Sequence, residues 1–126
     1  MRVIQTERAP KAIGPYSQAI VANGFIFTAG QLGLDPATGE LAAGGIEAQT
    51  RQALRNLQAV VEAAGGSLTT VVKTLVFLQN MDDFAAMNKV YSEFFQINPP
   101  ARSAVQAARL PRAAMIEIEA VALLAE

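Results

Sequence analysis

The sequence predicts an α+β domain in which a mixed β-sheet carries two helices packed on one face. Three observations predict it. Asn23-Gly24 stands between two apolar-rich runs, a pair that accepts positive φ and favours a two-residue hairpin. Two stretches with apolar residues at helical spacing alternate with runs rich in β-branched residues. The run beginning at Met115 starts by alternating apolar and acidic residues with the period of a strand.

The elements follow in order. "RVIQT" near the start adds a strand, and the hairpin strands cover about Ser17–Ala22 and Phe25–Ala29. "LDPATGE" (Leu34–Glu40) is a turn-rich loop punctuated by Pro36 and Gly39. Ile46, Thr50, Ala53, Leu54, Leu57, Val60, Val61 and Ala64 form one helical stripe that ends at Gly65-Gly66, residues suited to a C-terminal cap. "VVKTLVFL" (Val71–Leu78) is nearly continuous in apolar residues and reads as a central strand. Asp82 and Asp83 suit the first turn of a second helix, with Phe84, Met87, Tyr91, Phe94 and Phe95 as its buried stripe. Pro99-Pro100 stops that helix before a short strand over Arg102–Ala107, and the last strand covers Met115–Leu124. No repeat or linker interrupts residues 1–126, so a single domain is expected.

Composition excludes much chemistry. The chain has no His and no Cys, so neither a zinc site of the N/S kind nor a His-activated nucleophile can be built. Net charge is −1 without a basic run, which leaves no electrostatic footprint for nucleic acid. No apolar run approaches membrane-spanning length, and a cytoplasmic protein is expected by default. The apolar share of 52 % is high for a small soluble monomer and points to surface covered by another subunit.

Strand–helix–strand crossovers of one hand place both helices on one face of the sheet and leave the other bare. In the last strand Ile116 and Ile118 suit the helix side, which puts Glu117, Glu119, Val121 and Leu123 on the bare side. In the strand before it, Val105 is expected to face the helices, with Arg102, Ala104 and Gln106 on the bare side beside Glu117. Charges buried there by an oligomer need partners or a task.

Taken in order, "IGPYSQAI", "TAGQLG", "VVKTLVFL", "DFAAMNKVYSEFF", "PPARSAV" and "LPRAAMIEIEAVA" closely resemble the YjgF/RidA family of reactive-intermediate deaminases, from about Ala9 to Leu123. The resemblance implies a chorismate-mutase-like fold and a homotrimer with sites between subunits. It also implies hydrolysis of 2-imino and enamine acids to 2-keto acids and ammonia. The substrates would be chiefly 2-aminoacrylate and 2-aminocrotonate with their imines, and no metal or cofactor is called for. By the family pattern Arg102 grips the substrate carboxylate, Glu117 serves the catalytic water, and Tyr16, Gly30 and Asn88 line the pocket. Many members have Ser where this chain has Ala29 and Cys where it has Ala104, so two polar pocket contacts are absent.

The chemistry is consistent with these parts. Arginine offers a planar fork that matches a carboxylate, and a glutamate can take a proton from water beside an already electrophilic C=N carbon. The partner of Arg102 is then expected to be substrate and not another side chain. Plainer readings exist: an arginine at a strand start is more often a surface ion-pair partner, and alternate glutamates most simply mark a solvated strand face. Two other functions stand beside the deaminase. One is a ribonuclease or translation inhibitor; the other is a trimer that binds metabolites or acts as a chaperone without turnover.

Overall fold

The computed structural model describes residues 1–125. Its strands are β1 (Arg2–Ile4), β2 (Ala19–Ala22), β3 (Phe25–Thr28), β4 (Gln31–Leu32), β5 (Val71–Leu78), β6 (Ala101–Gln106) and β7 (Ile116–Leu123). Helix α1 (Gly45–Ala64) precedes β5, and α2 (Phe84–Phe94) precedes β6. The strands form one mixed sheet in the order β1-β2-β3-β7-β5-β6, with β4 also paired to β7. All pairs are antiparallel except β5 with β6. This is the α+β, chorismate-mutase-like arrangement expected, with both helices on one face.

Local chemistry sets the boundaries. Asn23 and Gly24 both take positive φ, 53° and 81°, as a two-residue turn matched to strand twist requires. At the end of α1, Gly65 adopts φ 102°, and the N–H groups of Gly65 and Gly66 donate back to the carbonyls of Glu62 and Val61. Several expected boundaries move by one or two residues, and two of these shifts have a local cause. Strand β2 starts at Ala19 because the Gln18 side chain is committed to the preceding loop, donating to the Thr6 and Pro10 carbonyls and accepting from the Thr6 N–H. Helix α2 starts at Phe84, after a 3-10 turn over Met81–Asp83 capped by Asn80. The two-residue β4 was not expected; it is too short to show a period.

The core lies between the helices and one sheet face. Leu54, Leu57, Val60 and Val61 of α1 and Met87 of α2 pack with Ile26, Val76, Ile116 and Ile118, all fully buried. Burying each such side chain contributes roughly 1.5–3 kcal/mol before the entropy of ordering is subtracted. The other face is bare. Phe25, Phe27, Val105 and Leu123 are 38–46 % exposed there, and Glu117 and Glu119 share it.

One expectation is corrected here. In the parallel β5–β6 register Thr74 lies opposite Arg102, Val76 opposite Ala104 and Leu78 opposite Gln106. Thr74, Val76 and Leu78 are buried under the helices, so Arg102, Ala104 and Gln106 lie on the helix face, while Val105 is on the bare one. Strand β6 is at the sheet edge and the bare face is itself apolar, so burying Val105 did not decide its parity. Hydrogen bonding to β5 did.

Candidate functional site

Two separate groups of the expected residues come together. The first is a cleft on the side of the molecule that carries β4, lined by Lys11, Tyr16, Ala29, Gly30, Arg112 and Glu117 among others. Its back wall depends on a bulge. Phe27 pairs with Val121 and Gln31 with Ile118, so this segment holds one residue more than β7 opposite it. Gly30 sits in that irregularity, directly against Glu117. A Cβ on Gly30 would overlap the Glu117 Oε2 and lie 2.7 Å from its Cδ. Any larger residue at this position would push the carboxylate from the place it occupies.

The rim of the cleft is tied down locally. Gln18, 3 % exposed, holds residues 6–10 through the bonds given above, and the Tyr16 hydroxyl accepts from the Ile13 N–H at 3.3 Å. Opposite, Arg112 and Ala113 both have left-handed backbones, φ 62° and 55°, and the Arg112 guanidinium donates to the Gly39 carbonyl at 2.9 Å. Such consecutive non-glycine residues are strained. Burial, and then the neighbouring Glu119 carboxylate, push the Glu117 carboxyl above its ordinary pKa. A glutamate tuned upward is better matched to accepting a proton near neutrality.

The second group lies at the opposite edge, under α2. Arg102 Nη1 donates to Asn88 Oδ1 at 2.6 Å. The guanidinium carbon stands 4.7 Å from the centre of the Tyr91 ring and 5.4 Å from that of Phe84. Among the described residues no carboxylate lies within ion-pair distance of Arg102. The expectation that no side chain partners this arginine is therefore corrected: Asn88 does, as an acceptor. One bond to a neutral acceptor and two rings still leave its other donors open to an anion.

The two groups do not meet within one chain. Glu117 pairs with Phe77, and Phe77 with Val105, three residues along β6 from Arg102. That separation is about 10 Å across two strands and about 10 Å along them. The two side chains also leave the sheet on opposite faces, which overturns the expectation that Arg102 and Glu117 share one. Of the two missing polar groups, Ala29 belongs to the Glu117 cleft and Ala104 packs near Arg102, against the core.

Phe84 and Tyr91 do lie in the buried stripe as expected, but sequence reasoning missed that both rings meet Arg102. A signal was present. Asn88 lies four residues after Phe84 and three before Tyr91, so a polar side chain shares their helical face. Among the described residues there is no group of three or more His, Cys, Asp or Glu able to hold a metal, and no helix is long and apolar enough to cross a membrane.

Comparison with known proteins covers almost the whole chain. The family described as Endoribonuclease L-PSP matches residues 6–124. A RutC family protein of Pyrococcus horikoshii is 58 % identical over 120 residues, 95 % of each chain. The human 2-iminobutanoate/2-iminopropanoate deaminase is 48 % identical over 122 residues, 97 % of this chain and 89 % of its own. The crystal structure of Escherichia coli TdcF with bound serine superposes with a TM-score of 0.95 at 44 % identity, covering 99 % of this chain and all of the other.

Proposed function

The chain belongs to the Endoribonuclease L-PSP family, also called YjgF/RidA, and on that premise we propose that it hydrolyses small 2-imino and enamine acids to 2-keto acids and ammonia. The observation that carries the proposal is the division of the site. An arginine with no acidic partner among the described residues is displayed on one face at one edge of the sheet, and a half-buried glutamate of raised pKa is displayed on the other face. Neither charge has an ion-pair partner among the described residues. Deaminase relatives at 48 % identity support the reaction class.

The active site is then built by two copies, Arg102 and Asn88 from one and Tyr16, Gly30 and Glu117 from the next. A closed homotrimer, which the sequence resemblance implies, covers the bare sheet face and leaves no open surface for further growth. In each site the guanidinium fork takes the substrate carboxylate and fixes the adjacent C=N carbon. An enamine first gains a proton on carbon, and an imine one on nitrogen, in both cases from solvent, and both become the same iminium ion. Water then adds to the C=N carbon: its oxygen forms the new C–O bond, one proton passes to Glu117, and the C=N π pair moves to nitrogen. In the resulting carbinolamine Glu117 returns the proton to the nitrogen; the C–N bond then breaks with its pair leaving on nitrogen, an oxygen lone pair closes the C=O bond, and the hydroxyl proton passes to Glu117 and on to solvent, which leaves a keto acid and ammonia. Positioning and one tuned base suffice, because imines are electrophilic without further activation.

The test is formation of keto acid from imine generated by a threonine dehydratase, with semicarbazide competing for the imine. The protein should accelerate 2-ketobutyrate release and suppress semicarbazone. Parent chain that leaves semicarbazone formation unchanged refutes the deaminase reading. Ribonuclease activity lost with Arg102→Ala would put the family's RNA-directed name in its place. The lack of a basic track, at net charge −1, argues against that outcome.

A further inference from the structure

We propose that Phe84 and Tyr91 are positioning residues for Arg102, forming an aromatic cradle that holds the guanidinium ready for a carboxylate. The inference rests on the deaminase reading of Arg102 given above and assigns a task to two side chains otherwise counted as core.

The cradle is built in layers. Thr74, fully buried, stands opposite Arg102 in the β5–β6 register. Its hydroxyl shares a 2.7 Å hydrogen bond with the Tyr91 hydroxyl, and the Tyr91 ring packs on Phe95 with centroids 4.8 Å apart. The Tyr91 ring, in a residue only 5 % exposed, is thus fixed at its tip and on its face before it meets the arginine. Phe84, one turn before Asn88, supplies the second ring. Both guanidinium–ring distances lie within the range at which a cation is attracted to the negative face of a ring. The attraction grows when the cation is partly removed from water, as Arg102 is.

Asn88 alone would not orient the fork. A single bond to Nη1 is a pivot, and the planar guanidinium can still swing about it. Two rings add the missing constraint, because the group can turn only by giving up contact with one of them. Among the described residues the Arg102 guanidinium makes no hydrogen bond other than that to Asn88, which leaves Nε and Nη2 for a two-pronged grip. An arginine held in place in advance spares the ligand the cost of ordering a long, flexible side chain. The same geometry explains why Thr74 and Tyr91 bury two hydroxyls in the core: each satisfies the other while setting the ring.

The experiment measures 2-ketobutyrate affinity by calorimetry, together with kcat and KM, for Phe84→Leu, Arg102→Ala and the double variant. Phe84→Leu should weaken binding by about 3- to 30-fold and raise KM in step. In the Arg102→Ala background the same change should cost nothing further, since the ring acts only through the guanidinium. Phe84→Tyr, which restores a ring, should recover the loss. Unchanged affinity in Phe84→Leu, or an equal loss in both backgrounds, overturns the cradle while leaving Arg102 as the carboxylate ligand. If Arg102→Ala itself binds 2-ketobutyrate like the parent, the site assignment fails and the cradle fails with it.

Discussion

Two inactive chains should repair each other. If every site takes Arg102 from one copy and Glu117 from its neighbour, then Arg102→Ala and Glu117→Gln chains are complementary. The structure motivates the test, because the two side chains are about 10 Å apart both across and along the sheet and leave it on opposite faces. A site in a mixed ring works only when its arginine comes from the Glu117→Gln chain and its glutamate from the Arg102→Ala chain. With equal amounts and random assembly each condition holds half the time, so about a quarter of parent activity should return over all rings, mixed and unmixed together. The fraction does not depend on how many copies close the ring. The two chains, carrying different affinity tags, would be unfolded, mixed and refolded together, and rings holding both tags confirmed by sequential pull-down. Keto-acid formation would be compared with the same chains refolded apart. Doubly tagged rings no more active than the separate variants would refute the shared site.

Other consequences can be checked more simply. Glu117 has a folded-state pKa above its ordinary value. Its ionisation therefore opposes folding once pH rises through and beyond the ordinary carboxylate range, and Glu117→Gln removes that cost. The variant should lose turnover yet unfold at a higher temperature than the parent at neutral pH, with the gap closing in acid; a lower melting temperature at pH 7 contradicts this. Gly30→Ala places a Cβ on the Glu117 carboxylate, with Cδ 2.7 Å away, and should lower kcat/KM by roughly 10- to 100-fold as the carboxylate is displaced. Parent kinetics in that variant would show that the carboxylate position is unimportant. Ala113 holds φ 55°, which glycine adopts without strain, so Ala113→Gly should stabilise the fold by up to about 1 kcal/mol in thermal unfolding. A fall in melting temperature would count against strain in that turn.

Most elements were legible because their signals are local. Asn23-Gly24 marks the hairpin, Gly65 the end of α1, and the Ile116/Glu117 alternation the two faces of β7. The parity of β6 was not legible. "ARSAVQ" offers Val105 as its only large apolar side chain, and the usual inference sends that residue inward. Here both faces of the sheet are apolar, so hydrophobicity carries no sign, and an edge strand takes its parity from its single neighbour. That error hid the separation of Arg102 from Glu117. Arg102 and Glu117 were both named as candidates, but they were placed on one face of the sheet, whereas the structure gathers Arg102 with Asn88 and Glu117 with Tyr16 and Gly30. The bulge that seats Gly30 was equally invisible, since it arises from the offset between two pairings made with β7.

The placement of Arg102 and Glu117 on opposite faces has a thermodynamic consequence for any ligand that touches both. Such a ligand is a fastener: it binds only where two chains are already joined, and by linkage it must tighten the joint as much as the joint tightens it. At a concentration about 100 times its dissociation constant, each occupied site adds about 2.7 kcal/mol to the cohesion of the ring. Keto acid that accumulates would make the assembly harder to dilute apart. Dilution, in turn, would lower affinity for keto acid before any chain unfolds.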